Sequence, residues 1–328
     1  MRRPTARKLP SLGVALTASA LTLVAFACGS RTGLLGEGPI EEDPQDSSNF
    51  EPIRRLDAKV RDVQEPLPGL DARPDVIVDQ RDCQDPSETL VYILGDNGDL
   101  YAFDPRDFSA RLIGPILCPS ASTPFSMAVD RQGVAYVVFQ DGELFRVSTR
   151  TAACAVTGFV ANQQGIDTFG MGFASDQGGP AETLFVSPST DTNDVFSPGQ
   201  LGAIGLPTFE LDLIDRFDPA ITASELTGTG DGRLFAFYTF DEGETTFIGE
   251  LDKQTARVVA ESPIPGVSMR GGWAFAFWGG DFFTFTGSGR GEASTVNRVR
   301  PSDGTVVQVA NLPINVVGAG VSTCSPVE

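Results

Sequence analysis

The chain reads as an all-β protein: a β-propeller of five four-stranded blades in which the C-terminal strand closes the ring. Three observations lead there. An aromatic residue flanked by branched apolar residues recurs five times, two strand-like runs follow each recurrence, and a small, apolar run precedes all but the first. The aromatic positions are Tyr92, Tyr136, Phe185, Phe235 and Phe283, at steps of 44, 49, 50 and 48 residues. Behind them come Leu100–Asp104, Leu144–Val147, Leu201–Ile204, Ile248–Leu251 and Val296–Val299, each alternating as a half-buried strand does. A third series follows in Ala110–Ile113, Ala155–Val156, Leu211–Ile214, Ala256–Val259 and Thr305–Val309.

The fourth strand decides closure. Small, apolar runs stand at Ser126–Asp130, Gly170–Ala174, Leu226–Thr229 and Gly272–Phe277, ahead of the later repeats. The first repeat lacks one, and the chain ends in Gly318–Thr323, which has the right character and no strand pair after it. Such a strand would complete the first blade and remove the free sheet edge. Six blades with one degenerate repeat is the alternative count. The turns agree: Asp96-Asn97-Gly98-Asp99, Asp130-Arg131-Gln132-Gly133, Asp141-Gly142, Asp231-Gly232 and Asp303-Gly304 supply residues that tolerate tight hairpins. These aspartates read as turn formers rather than metal ligands. A long loop is expected at Asp191–Gln200.

Ahead of the repeats, Arg2, Arg3, Arg7 and Lys8 precede an apolar run from Leu12 to Phe26, too short to span a bilayer comfortably. The run ends Ala25-Phe26-Ala27-Cys28, which resembles the lipobox of bacterial lipoproteins, with Ala25 where that family usually carries Leu. Ordinary signal-peptidase cleavage is the alternative, and cysteine arithmetic favours the lipobox. The chain holds Cys28, Cys83, Cys118, Cys154 and Cys324, and acylating Cys28 leaves four, an even number suited to an oxidising compartment. Residues 1–27 are therefore the signal peptide, 28–84 an acidic, proline-rich flexible tether, and 85–328 the propeller. Removing the leader's four positive charges takes the formal charge from −19 to −23. Gly29, not Asp, follows the cysteine, which in the sorting rule of such lipoproteins implies the outer membrane.

Composition excludes much chemistry. With no histidine in 328 residues, the chain has no Ser-His-Asp or Cys-His pair, no histidine-ligated metal and no histidine base. With 43 acidic against 24 basic residues, a basic nucleic-acid-binding patch is not expected. Cys83 lies just before the first strand and Cys324 just after the last, so a bond between them would staple the ring shut. Cys118 and Cys154 remain as the second pair, although the strand order sets them toward opposite ends of their sheets. The aromatic cluster Trp273, Phe275, Phe277, Trp278, Phe282, Phe283 and Phe285 reads as packing between blades rather than a stacking platform for sugars. Asp241, Glu242 and Glu244 read as a solvated acidic hairpin, and no residue is assigned a catalytic or metal-binding role.

Taken together, lipobox, stalk and five repeats resemble bacterial envelope lipoproteins that display a β-propeller. The resemblance implies a monomeric binding or scaffold module, anchored in the membrane through its N-terminal lipid, with loops at one propeller face recognising an envelope protein or a glycan. The rival expectation is a histidine-independent propeller enzyme, a lyase, lactonase or glycoside-active protein, with a calcium ion in the central funnel. Replacing the anchor residue, Cys28→Ala, is expected to abolish incorporation of labelled palmitate in growing cells; unchanged labelling would remove the anchor.

Overall fold

The computed structural model describes residues 83, 89–189, 197–240, 243–288 and 291–328. The predicted leader, Cys28 and nearly all of the 28–84 tether lie outside the described residues, as do Asp241, Glu242 and most of the long loop. Among the described residues there is no helix. Twenty strands form five four-stranded antiparallel sheets, one per blade.

Blade 1 takes β1 (Val91–Gly95), β2 (Asp99–Asp104) and β3 (Ser109–Pro115) from the start of the domain. Blade 2 follows with β4 (Pro124–Val129), β5 (Val134–Phe139), β6 (Leu144–Ser148) and β7 (Cys154–Val156). Blade 3 is β8 (Phe169–Ser175), β9 (Glu182–Pro188), β10 (Gln200–Gly205) and β11 (Glu210–Arg216). Blade 4 is β12 (Glu225–Gly228), β13 (Leu234–Thr239), β14 (Thr246–Leu251) and β15 (Val258–Ile264). Blade 5 is β16 (Trp273–Trp278), β17 (Asp281–Gly287), β18 (Ser294–Arg300) and β19 (Thr305–Leu312). The last strand, β20 (Val316–Val321), returns to blade 1 and pairs with β1, placing Tyr92 opposite Gly320 and Leu94 opposite Gly318. The count is five, and the C-terminal strand closes the ring. The five repeating aromatics all fall on the second strand of their blade.

Each sheet is covered on both faces, and this explains the continuous apolar runs. Five hydrophobic clusters occupy the five gaps between neighbouring blades. Along β1 the side chains divide by pleat: Val91 and Ile93 join the core against blade 5, and Leu94 the core against blade 2. All six residues of β5 are buried for the same reason. Phenylalanines interlock across the gaps, with Phe103 of blade 1 edge-on to Phe285 of blade 5 at 5.3 Å and Phe235 of blade 4 edge-on to Phe282 at 4.8 Å.

At the axis the strands come too close for side chains on every residue. A methyl group at Gly170 of β8 would lie 2.0 Å from the Ser224 carbonyl oxygen, and one at Gly228 of β12 would lie 2.2 Å from that of Phe173. The glycine content of the inner runs is thus a packing requirement set by a narrow ring.

Both cysteine pairs are bonded, Cys83 to Cys324 and Cys118 to Cys154, with Cα atoms 5.1 and 5.2 Å apart. The strand order alone sets Cys118 and Cys154 apart, but β3 leans over the next blade as the sheet twists. Gly114 near its end packs beside Ala152 of the β6–β7 turn, which brings the following segment to Cys154. Loop-closure entropy assigns about 5 kcal/mol to the bond spanning 241 residues and roughly 4 kcal/mol to the one spanning 36, before any strain. In thermal melts, Cys83→Ser with Cys324→Ser is expected to lower Tm more than Cys118→Ser with Cys154→Ser; the reverse order would contradict the stapling role.

Candidate functional site

Antiparallel alternation puts two sets of loops on one face of the disc: those entering each innermost strand, and those joining the second and third strands. On this face a cavity of about 290 Å³ opens near the axis. Blade 1 contributes Asp96, from the β1–β2 turn, and Asn315 and Val317 at the start of β20. Blade 2 gives Phe125 and Gln140, blade 5 gives Arg270 and Trp273, and blade 4 gives Glu225. A smaller hollow shares Phe125, Glu225 and Trp273 and extends to Ser187, Ser189 and Ser224 around blade 3. Every blade therefore meets at this mouth.

Glu225 is the first residue of β12, and only 3% of its surface is exposed. Its carboxyl crosses the axis to blade 2, accepting a hydrogen bond from Ser126 Oγ at 2.9 Å, and also accepts the backbone N–H of Met171 from blade 3. Both bonds favour the anion, but burial outweighs them and pushes the carboxyl well above the usual range, toward the neutral acid. Across the mouth, Asn315 donates its Nδ2–H to Asp96 at 3.0 Å, while the Asp96 N–H donates to the Asn315 carbonyl at 2.9 Å. Asn315 is 6% exposed, and its Oδ1, lying against Gly272, accepts no hydrogen bond. A buried acceptor left so costs about 1–3 kcal/mol. On the rim, Arg270 forms an ion pair with Glu244. Both side chains are largely exposed, so the pair sets local charge more than stability.

The opposite face carries a buried acid, Asp130, and a half-buried one, Glu182. Asp130 accepts the Val134 N–H at 2.8 Å, and Glu182 accepts the Arg131 N–H at 2.6 Å and the Thr323 hydroxyl at 2.9 Å. Burial raises Asp130 to about 6 and Glu182, which also feels the Asp130 charge, to about 7. Asp130 closes its hairpin, as a turn former does, and Glu182 ties that hairpin to the C-terminal segment beside Cys324.

Several expected sites fall elsewhere. Phe275, Phe283 and Phe285 are wholly enclosed between blades, and Trp278 donates its Nε1–H to Thr89. Trp273 departs from the expectation that the whole cluster is core, because it opens an innermost strand and faces the cavity. Asp96 belongs to a turn and also lines the mouth. Sequence reasoning missed Glu225 and Asn315, although an acid heading an otherwise small and apolar inner run was a visible signal. The cavity wall offers two carboxylates, Asp96 and Glu225, and among the described residues no three His, Cys, Asp or Glu gather as a metal site.

No family model matches the chain, and no curated protein shows significant sequence similarity to it. Solved structures similar in shape include a chain of a nidogen/laminin complex, 10% identical with a TM-score of 0.46, covering 72% of this chain and 99% of that one. TolB from Acinetobacter baumannii, 12% identical with a TM-score of 0.40, covers 70% of this chain and is itself 54% covered. The Dos1 propeller, 12% identical with a TM-score of 0.37, covers 70% and is 55% covered. At this distance the five closed sheets, rather than any of these likenesses, define the architecture.

The raised carboxyls fix a pH dependence. Each acid binds its proton more tightly folded than unfolded, so stability falls as pH rises from its unfolded value through its folded one. For Glu182 that window runs from about 4.5 to about 7. Melts between pH 4.5 and 8 are expected to show Tm falling with pH in the parent protein, and a shallower fall in Glu182→Gln and Glu225→Gln. Identical slopes in parent and variants would contradict the buried-acid assignment.

Proposed function

We propose that this chain is an exported, lipid-anchored binding module of a bacterial envelope, with the face bearing the axial cavity as its recognition surface. The observation that carries the reading is the convergence of four blades on that cavity, with the remaining blade bordering the hollow beside it. One end of the ring gathers aromatic, amide, guanidinium and carboxyl groups at a concave mouth, the kind of site that small ligands and protruding segments of larger ones occupy. The export leader and lipobox supply the address, and two disulfides suit an oxidising compartment. The strongly acidic surface favours solubility over attachment to nucleic acid.

A rigid disc is well suited to this role, because the blade cores fix the loops at the mouth and leave sequence variation to the loops themselves. Cross-linking in intact cells, followed by identification of co-purifying proteins and glycans, tests the choice of face. Thr123→Arg with Gln140→Arg, on exposed rim positions, is expected to remove the captured partner. Gln254→Arg, on an exposed turn of the opposite face, is expected to retain it. The reverse pattern would assign recognition to the other end of the ring.

A further inference from the structure

The walls of the cavity restrict what can enter it. Asp96 accepts a hydrogen bond from the Asn315 amide, which carries no charge to offset the carboxylate, Arg270 is paired with Glu244, and burial drives Glu225 toward its neutral form. An anionic guest would have to face the Asp96 carboxylate or separate Arg270 from Glu244. A wholly apolar guest would cover the polar ends of Asp96 and Gln140. A neutral guest that donates to Asp96, exchanges hydrogen bonds with the Gln140 amide and sets an apolar face against an indole suits these walls without separating either pair.

We infer that the axial cavity binds a neutral saccharide ring, its C–H face against Trp273 and its hydroxyls hydrogen-bonded to Asp96 and Gln140. A pyranose meets each demand. Its axial hydrogens form an apolar face complementary to an aromatic ring, and its equatorial hydroxyls both donate and accept. Asp96 has carboxylate lone pairs beyond the one that takes the Asn315 amide, and the Gln140 amide both donates and accepts. Phe125 forms part of the same apolar lining as Trp273. The volume of about 290 Å³ lies at the lower edge of the ~300–1,000 Å³ usual for small-ligand sites, which suits one ring of a glycan rather than an extended chain.

This inference rests on the cavity face being the recognition face, and its test separates the two. The full chain, purified in a detergent without a sugar headgroup, would be titrated with N-acetylglucosamine, cellobiose and maltose, and with glucosamine and glucuronate as cationic and anionic comparators. A Trp278→Phe background leaves Trp273 as the fluorescent reporter, and saturation-transfer NMR on the unaltered protein provides a readout independent of any variant. At least one neutral sugar is expected to bind saturably by both methods, at least tenfold more tightly than either charged sugar. Trp273→Leu and Asp96→Ala, each with a cooperative melt, are expected to weaken that binding at least tenfold by NMR. No saturable response to any neutral sugar, tighter binding of a charged one, or unchanged affinity in both folded variants would overturn the inference. If sugars fail while Thr123→Arg with Gln140→Arg still removes the partner captured in cells, the saccharide assignment falls and the recognition face stands. If the rim variants also leave capture intact, both fall.

Discussion

Where β12 passes β8 there is no space for a side chain: a methyl at Gly228 would press on the Phe173 carbonyl at 2.2 Å, and one at Gly170 on that of Ser224 at 2.0 Å. The blade count, the filled cores and the position of the cavity all follow from this approach. A ring of five sheets is narrow at its axis, so the inner strands can meet only where one of each pair gives up its Cβ. The pleat then sends larger side chains alternately into the two flanking gaps, and five hydrophobic clusters fill them. Burial at about 25 cal/mol per Å² of apolar surface rewards this arrangement on both faces of every sheet.

Closure completes it. An open fan of five blades would expose two sheet faces and a row of unpaired strand groups. The pairing of β20 with β1 removes the open end, and the Cys83–Cys324 bond holds the returning segment in place. Glu182 reinforces the same junction through Thr323, one residue from the disulfide. The opposite end is less tightly filled. There the Glu225 carboxyl spans from blade 4 to Ser126 of blade 2 beneath the mouth, so packing around the axis gives way to a pocket with a polar floor.

Much of the fold was legible because propeller blades repeat. The five aromatics of the second strands, the alternation of the third, and the unpaired last run were enough to give blade number, strand order and ring closure. The site was less legible for a physical reason. Glu225, Trp273 and Asn315 stand 42 to 90 residues apart along the chain, and only the packing of their blades around the axis makes them neighbours. A turn signal such as Asp96-Asn97-Gly98 explains a hairpin without revealing that the hairpin edges a cavity. Similarly, a cluster rich in phenylalanine reads as core, and that is correct for Phe275, Phe283 and Phe285. Trp273 differs by being the first residue of its strand, where the core ends and the mouth begins. The distance between Cys118 and Cys154 was misjudged from strand order because order does not convey how far an outer strand twists over its neighbour.

The most direct measurement is the protonation state of Glu225, since a neutral acid under the mouth links the tight axis to the chemistry of the cavity. Infrared difference spectra of the parent protein and Glu225→Gln, followed upward in pH from 4.5, the ordinary value of a glutamate, isolate this group. A protonated-carboxyl band present in the parent and missing from the variant is the expected result. A carboxylate band in its place would show Glu225 ionised and solvated, and would contradict the dry, neutral floor on which this description of the site depends.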